Sequence, residues 1–202
     1  MNKTLKLSSL FVTSLLASTH ALASQAPQWD FIQANYAKME IDDLDTFDLA
    51  GFGLSGSKLI NENFFVSLNY QQFSDSTVIY NSKIKLDTTS LSAGLGYRYG
   101  LSTNIDVFGK VSFENVDANT SFNGDKDSID DTGYGLTLGV RSMVTDSFEL
   151  NGSIAYVDID DESETGFAVS AFYHFNANLS AGVGYNIADD VDTLNASIRY
   201  AF

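Results

Sequence analysis

The sequence predicts an all-β protein: an antiparallel up-and-down transmembrane β-barrel of about ten strands, with eight as the alternative. Three observations predict it. Apolar and polar residues alternate along nearly the whole chain after residue 23. No stretch there approaches the roughly 18 to 20 continuous apolar residues of a membrane helix. The aromatic residues gather at the two ends of the alternating segments.

The N-terminus sets the compartment. Lys3 and Lys6 precede an apolar run from Leu7 to Ala17 that is too short to span a bilayer, and Ala21-Leu22-Ala23 supplies small residues where a signal peptidase needs them. Residues 1–23 are therefore expected to be a signal peptide cleaved near Ala23, and 24–202 the barrel. Two of the 11 Lys and Arg residues leave with that peptide, so nine face 26 Asp and Glu, a formal charge of −17. Such acidity disfavours nucleic acid as a partner. The absence of cysteine excludes a disulfide framework and thiolate metal sites. An aromatic content of 13% argues against disorder.

Alternation assigns the faces. Phe64, Val66, Leu68 and Tyr70 fall on one side, and Phe65, Ser67, Asn69 and Gln71 on the other. The pattern recurs with Leu91 to Tyr99, Val107 to Phe113, Tyr134 to Val140, Phe148 to Tyr156, Phe167 to Tyr173, Leu179 to Tyr185 and Leu194 to Phe202 as apolar sets. Two less regular strands are expected near Phe31–Ile41 and Phe47–Lys58. The second face carries mainly Gly, Ser, Asn and Thr, small groups suited to a crowded lumen. A soluble sandwich would expose Lys, Glu and Thr there instead.

The connections alternate too. Asn61-Glu62-Asn63, Gly100 to Asn104, Val144 to Ser147 and Asn176 to Asn178 are tight turns; residues 42–45, 74–85, 117–131, 158–164 and 189–192 are acidic and are expected to be the loops of the opposite side. Short turns belong to the periplasm and longer loops to the exterior. With those directions, Tyr70, Phe113, Tyr134, Tyr156, Phe167 and Tyr185 form an outer girdle. Phe64, Tyr97, Tyr99, Phe148, Tyr173, Phe175, Tyr200 and Phe202 form an inner one.

The last segment, Leu194 to Phe202, alternates apolar residues and ends Tyr200-Ala201-Phe202. It resembles the C-terminal strand of Gram-negative outer-membrane proteins, and the mature chain resembles the porin-like class of small barrels, among them the opacity-like and OmpX-like ones, which usually have eight strands. The resemblance implies a place in the outer membrane beside lipopolysaccharide. It also implies that the barrel-assembly machinery reads Tyr200 and Phe202. No periplasmic peptidoglycan-binding domain of the OmpA type is expected to follow, since the chain stops at Phe202.

Candidate chemistry concentrates in the lumen. Arg98 and Asp106 are symmetric about Ser102, and Arg141 and Glu149 about Thr145, so each pair is expected to lie directly opposite on neighbouring strands as a salt bridge. With His174 and Arg199 at the same depth they form a belt of charge at the periplasmic end, with Lys110 and Glu114 higher up. A selectivity ring in a narrow porin-like channel and a register-setting, lumen-filling network are the two readings, and internal neutralisation favours the second. The mature chain's one histidine, His174, sits at the wrong end for the rim sites of known barrel hydrolases, so no enzyme activity is expected. Asp125, Asp127, Asp158, Asp160 and Asp161 are weak candidates for divalent cations, but Asp130 stands where an EF-hand loop counted from Asp125 demands glycine. No cofactor or dedicated metal site is expected.

Overall fold

A computed structural model describes residues 26–41, 49–79, 82–122, 125–160 and 162–202. The signal-peptide segment and Asp161 lie outside the described residues. Ten strands follow one another: β1 (Phe31–Ile41), β2 (Leu49–Leu59), β3 (Phe64–Ile79), β4 (Ser82–Ser102), β5 (Ile105–Phe122), β6 (Asp125–Thr145), β7 (Phe148–Ile159), β8 (Glu162–His174), β9 (Leu179–Ala188) and β10 (Val191–Ala201). Each pairs antiparallel with its sequence neighbours, and β1 pairs with β10, so the sheet closes into an up-and-down barrel. Lipid offers no partners to an open edge, and closure satisfies every strand on both sides.

The turns are built by short polar side chains. Asn61 Oδ1 accepts hydrogen bonds from the amides of Asn63 and Phe64, at 2.9 and 2.8 Å. Asn176 does the same for Asn178 and Leu179, at 2.9 Å each. On the opposite side Asp160 (φ 49°) and Asp189 (φ 43°) open the β7–β8 and β9–β10 turns in the left-handed region, which Asp tolerates better than most residues.

The acidic segments 74–85 and 117–131 are not the loops expected of them. β3 and β4 stay paired to Ile79 and Ser82, and β5 and β6 to Phe122 and Asp125. β7 reaches only Gly133 on β6, so β3–β6 rise above the rest of the wall. The sidedness inverts there. Ser74, Lys85, Asp87, Asn119 and Asp130 face outward, while Ile84, Leu86, Val116, Ala118 and Ile129 share the inward parity. Acidic composition signalled exposure to water, and strand pairing continued regardless, because Thr, Ile and Val keep the ladder favourable.

Within the membrane the usual arrangement of a protein is reversed. Phe52, Leu54, Leu68, Val111, Leu138, Val169, Val183 and Ile198 are exposed on the outer face, whereas Asp106, Arg141, Glu149 and Arg199 are buried. A continuous apolar surface of this kind requires lipid. The girdle residues expected from the sequence all lie on it; Phe64 and Tyr97 stack edge to face at 5.1 Å, as do Tyr173 and Phe175 at 5.3 Å.

The seam between β1 and β10 is fastened below by Asp30. Its carboxylate accepts from Lys58 Nζ at 2.9 Å and from the Leu59 amide at 2.7 Å, and its carbonyl accepts from the Phe202 amide at 3.1 Å. Partial burial pushes the Asp30 carboxyl up, but the Leu59 amide, Lys58 and Arg98 outweigh it and hold it below its ordinary 3.8. A folded-state value below the unfolded one stabilises above the ordinary value and loses that contribution as pH falls through the lowered one. Asp30→Asn is therefore expected to lower the urea midpoint at neutral pH. The gap from wild type should narrow as the pH falls through the lowered pKa of Asp30; a gap independent of pH contradicts this role. A sheet closed without edges also resists detergent, so unboiled and boiled samples should migrate differently on a gel. Identical migration argues against closure.

Candidate functional site: the floor of the bore

A ten-stranded barrel tilted by about 40° has a backbone radius of roughly 10 Å, so a few large side chains can cross it. Here they do. Trp29, just before β1, folds under the barrel and is buried. Its Nε1–H donates to Asp106 Oδ2 at 2.7 Å, and its ring meets Phe65 at 4.5 Å and Phe108 at 5.4 Å between centroids. The Arg141 guanidinium lies 4.7 Å over Trp29 and 5.5 Å from Phe31; that of Arg199 lies 4.4 Å from Phe31 and 3.7 Å over Phe172. Phe108, Trp29, Arg141, Phe31, Arg199 and Phe172 thus form an unbroken chain of contacts from β5 to β8. Cation–π contacts of this sort strengthen when desolvated.

Three of the aromatic rings rest on glycines directly opposite them. A Cβ on Gly96 would come within 2.2 Å of the Phe65 ring, one on Gly139 within 2.5 Å of Phe108, and one on Gly182 within 2.6 Å of Phe172. Each glycine is the strand partner of the residue that covers it. Its missing side chain lets the ring lie flat along the wall and reach the axis.

Glu149, with no exposed surface, is the hub of the charged network. Its Oε1 accepts from Arg141 Nε at 3.0 Å and Nη2 at 2.8 Å and from Arg199 Nη1 at 3.2 Å; its Oε2 lies 3.1 Å from His174 Nε2. Arg199 Nε donates to Gln33 Oε1 at 3.0 Å. Arg98 Nη1 donates to Asp106 Oδ2 at 2.9 Å, and Arg98 Nε to the Glu62 carbonyl at 2.9 Å. The floor therefore has two carboxylates: Glu149, held by side chains from β6, β8 and β10, and Asp106, held by Arg98 and the Trp29 indole.

The sequence-predicted residues meet in this network, with one change of register. Arg98 stands opposite Phe108 and Arg141 opposite Asn151, while Asp106 and Glu149 stand opposite Gly100 and Met143. Bulges at Gly100/Ser102 and Met143/Thr145 shift the hairpins, so each pair spans a diagonal that a long arginine can reach. His174 and Arg199 join Glu149 rather than standing as separate members of a belt. Lys110 and Glu114 lie higher. Glu114 Oε1 accepts from Ser92 Oγ at 2.9 Å and Ser112 Oγ at 2.6 Å. Tyr200 and Phe202 are exposed at the lower rim.

The acidic candidates do not assemble. Asp125 and Asp127 sit at the β5–β6 tip, and Asp158 and Asp160 at the end of β7, where Asp158 accepts from Tyr156 OH at 3.1 Å. Among the described residues no group of three or more His, Asp or Glu side chains could hold a metal ion. Trp29 and Phe31 are what reading the sequence for charge missed. The available signals were the chain's one tryptophan immediately before the first strand, and three phenylalanines at the lumen parity beside inward glycines.

With this geometry described, the comparisons give the class. The family model of the outer membrane protein beta-barrel domain matches residues 9–185, and the chain belongs to that family. Its place is the outer membrane. No curated protein matches the chain. Among solved structures it is similar to the translocator domain of the autotransporter NalP from Neisseria meningitidis, at 9% identity over 90% of this chain and 91% of that one, TM-score 0.53. It is also similar to the NanC porin, at 8% identity over 85% and 100%, TM-score 0.52. Ail, the attachment invasion locus protein of Yersinia pestis, aligns at 18% identity over 86% and 100%, TM-score 0.45. With the NalP translocator and the NanC porin the shared property is the fold.

Removing one member of a buried ionic network leaves the others without a partner, at a cost of about 3 kcal/mol or more. Glu149→Gln, which keeps the shape, is expected to lower the stability of the folded barrel in bilayers by that order, read from urea-unfolding curves. An unchanged midpoint would remove Glu149 from the centre of the floor.

Proposed function

We propose that this protein is a non-catalytic, surface-exposed structural barrel of the outer membrane whose bore is closed at its periplasmic end. The observation that carries the reading is the contact chain from Phe108 through Trp29, Arg141, Phe31 and Arg199 to Phe172. A conducting pore needs a continuous wet path, and here stacked rings and guanidinium groups occupy the axis. The charged groups that could act as a selectivity ring are satisfied by one another around Glu149 and Asp106.

The route to this state follows from the two ends of the chain. Residues 1–23 direct export and are cleaved near Ala23, and the barrel-assembly machinery reads the Tyr200 and Phe202 terminus. Once inserted, the outer face meets membrane lipid. The raised β3–β6 wall, with Ser74, Asn119 and Asp130 outward, stands among the lipopolysaccharide headgroups.

Single-channel recording in planar bilayers tests the closure. Wild type is expected to show no stable open level, and Trp29→Ala, which cuts the chain at its middle, is expected to introduce one. A stable wild-type conductance that changes with Arg141→Ala would replace the closed barrel with a narrow channel.

A further inference from the structure

Above the floor the bore is hollow. A cavity of about 360 Å³ rests on Trp29, Phe31, Arg141 and Arg199, and a second of about 310 Å³ lies next to it. Both are lined by Gln33, Ser55, Asn69, Asn186 and Asn195, so they form one continuous space toward the outer mouth. Its upper part is walled chiefly by side-chain amides and hydroxyls, which offer donors and acceptors together, and its lower part, against Trp29, Phe31, Phe65, Phe108 and Phe172, is mostly apolar.

Two features distinguish this space from simple filler. Lys110 lines it, with its stem lying along β4 so that a Cβ on Gly94 would come within 2.9 Å of the lysine Cδ. Among the described residues its ammonium makes neither a hydrogen bond nor an ion pair within 4.0 Å; Glu114, the acid on the same strand face, attracts it from farther off while accepting from Ser92 and Ser112. In addition, Gln71 Nε2 and Asn151 Oδ1 are buried in these walls without a partner, while the other end of each amide is fixed, by Asn35 at 2.9 Å and Ser170 at 3.2 Å. Buried polar groups normally find partners, and an ammonium inside a low-dielectric wall favours an anion.

We propose that the bore above the floor is a binding cup for a small hydroxylated carboxylate. The carboxylate pairs with Lys110 Nζ, and the hydroxyl groups pair with the amides that line both cavities, Gln33, Asn69, Asn186 and Asn195. A ligand carboxylate in hydrogen-bond contact would stand closer to the ammonium than Glu114, which lies beyond ion-pair distance. The two guanidinium groups below, which would suit a phosphate, are committed to Glu149 and stacked on rings. The cup falls within the few-hundred Å³ range of small-molecule sites, and its depth shields the seat from the acidic rim. Lys110 lies seven residues below Asp117, roughly 18 Å along the axis and beyond a Debye length of about 8 Å. Lys110 and the amides stand in the wall whether or not the floor below them conducts.

The chain's one tryptophan forms part of the cup's floor, so its emission reports occupancy directly. Detergent-folded protein is titrated with sodium gluconate and, separately, with sorbitol, which has the same hydroxylated chain without the charge. Gluconate is expected to change Trp29 emission saturably, and sorbitol to bind about tenfold or more weakly, the scale of a charge-assisted hydrogen bond. Lys110→Met, with folding checked by heat-modifiable migration, is expected to weaken gluconate to the sorbitol level, and Lys110→Arg to retain it. No saturable response to gluconate, equal binding of sorbitol, or an unaffected Lys110→Met would each overturn the proposal. The sorbitol comparison decides on wild type alone if the Met variant does not fold.

Discussion

The hydrogen-bonding demand of a backbone in hydrocarbon is the constraint on which the rest depends. Each unpaired amide or carbonyl in lipid costs several kcal/mol, so the sheet must leave none. The β1–β10 seam, paired from Phe31↔Ala201 to Ile41↔Val191, meets that demand by joining the first strand to the last. Closure then imposes period two on every strand at once, because each residue must face either lipid or lumen. This is why Leu54, Leu68 and Ile198 are exposed and Ser57, Ser112 and Ser197 are buried.

Closure also creates an interior that must be filled or left wet, and the protein does both at different depths. At the periplasmic end the wall thins at Gly96, Gly139 and Gly182, which lets aromatic rings reach the axis and stack with arginines. Burying Arg141 and Arg199 there is tolerable because Glu149 and the ring faces replace their water. The members of this network lie on β6, β7, β8 and β10, so it ties four strands together at one depth. Higher up, Asn, Gln and Ser leave a wet space whose polar groups are incompletely paired.

What could be read from the sequence follows the range of each interaction. Strand faces and girdles were legible because lipid writes them residue by residue. The Arg98–Asp106 and Arg141–Glu149 pairs were legible because eight residues and one turn separate the partners, although bulges moved each pair onto a diagonal. The contact of Trp29 with Asp106 spans 77 residues and that of Arg199 with Glu149 spans 50. Both depend on the curvature of the sheet, and alternation placed Arg199 at the depth of Glu149 without showing that the two touch. The height of β3–β6 was hidden for another reason. Segments rich in Asp, Ser and Thr look like loops, and the clue was a switch of apolar parity to Ile84, Leu86, Val116, Ala118 and Ile129.

Because the chain has no cysteine, closure can be tested chemically at the seam itself. Asn35 and Ser197 are strand partners on the lumen side of β1 and β10. A variant carrying Asn35→Cys and Ser197→Cys is expected to form an intramolecular disulfide on mild oxidation of the folded protein in bilayers. Partners in register lie within the distance a disulfide spans. A folded, detergent-embedded protein in which these two thiols stay free, while a control pair within one hairpin becomes linked, would contradict the closed barrel.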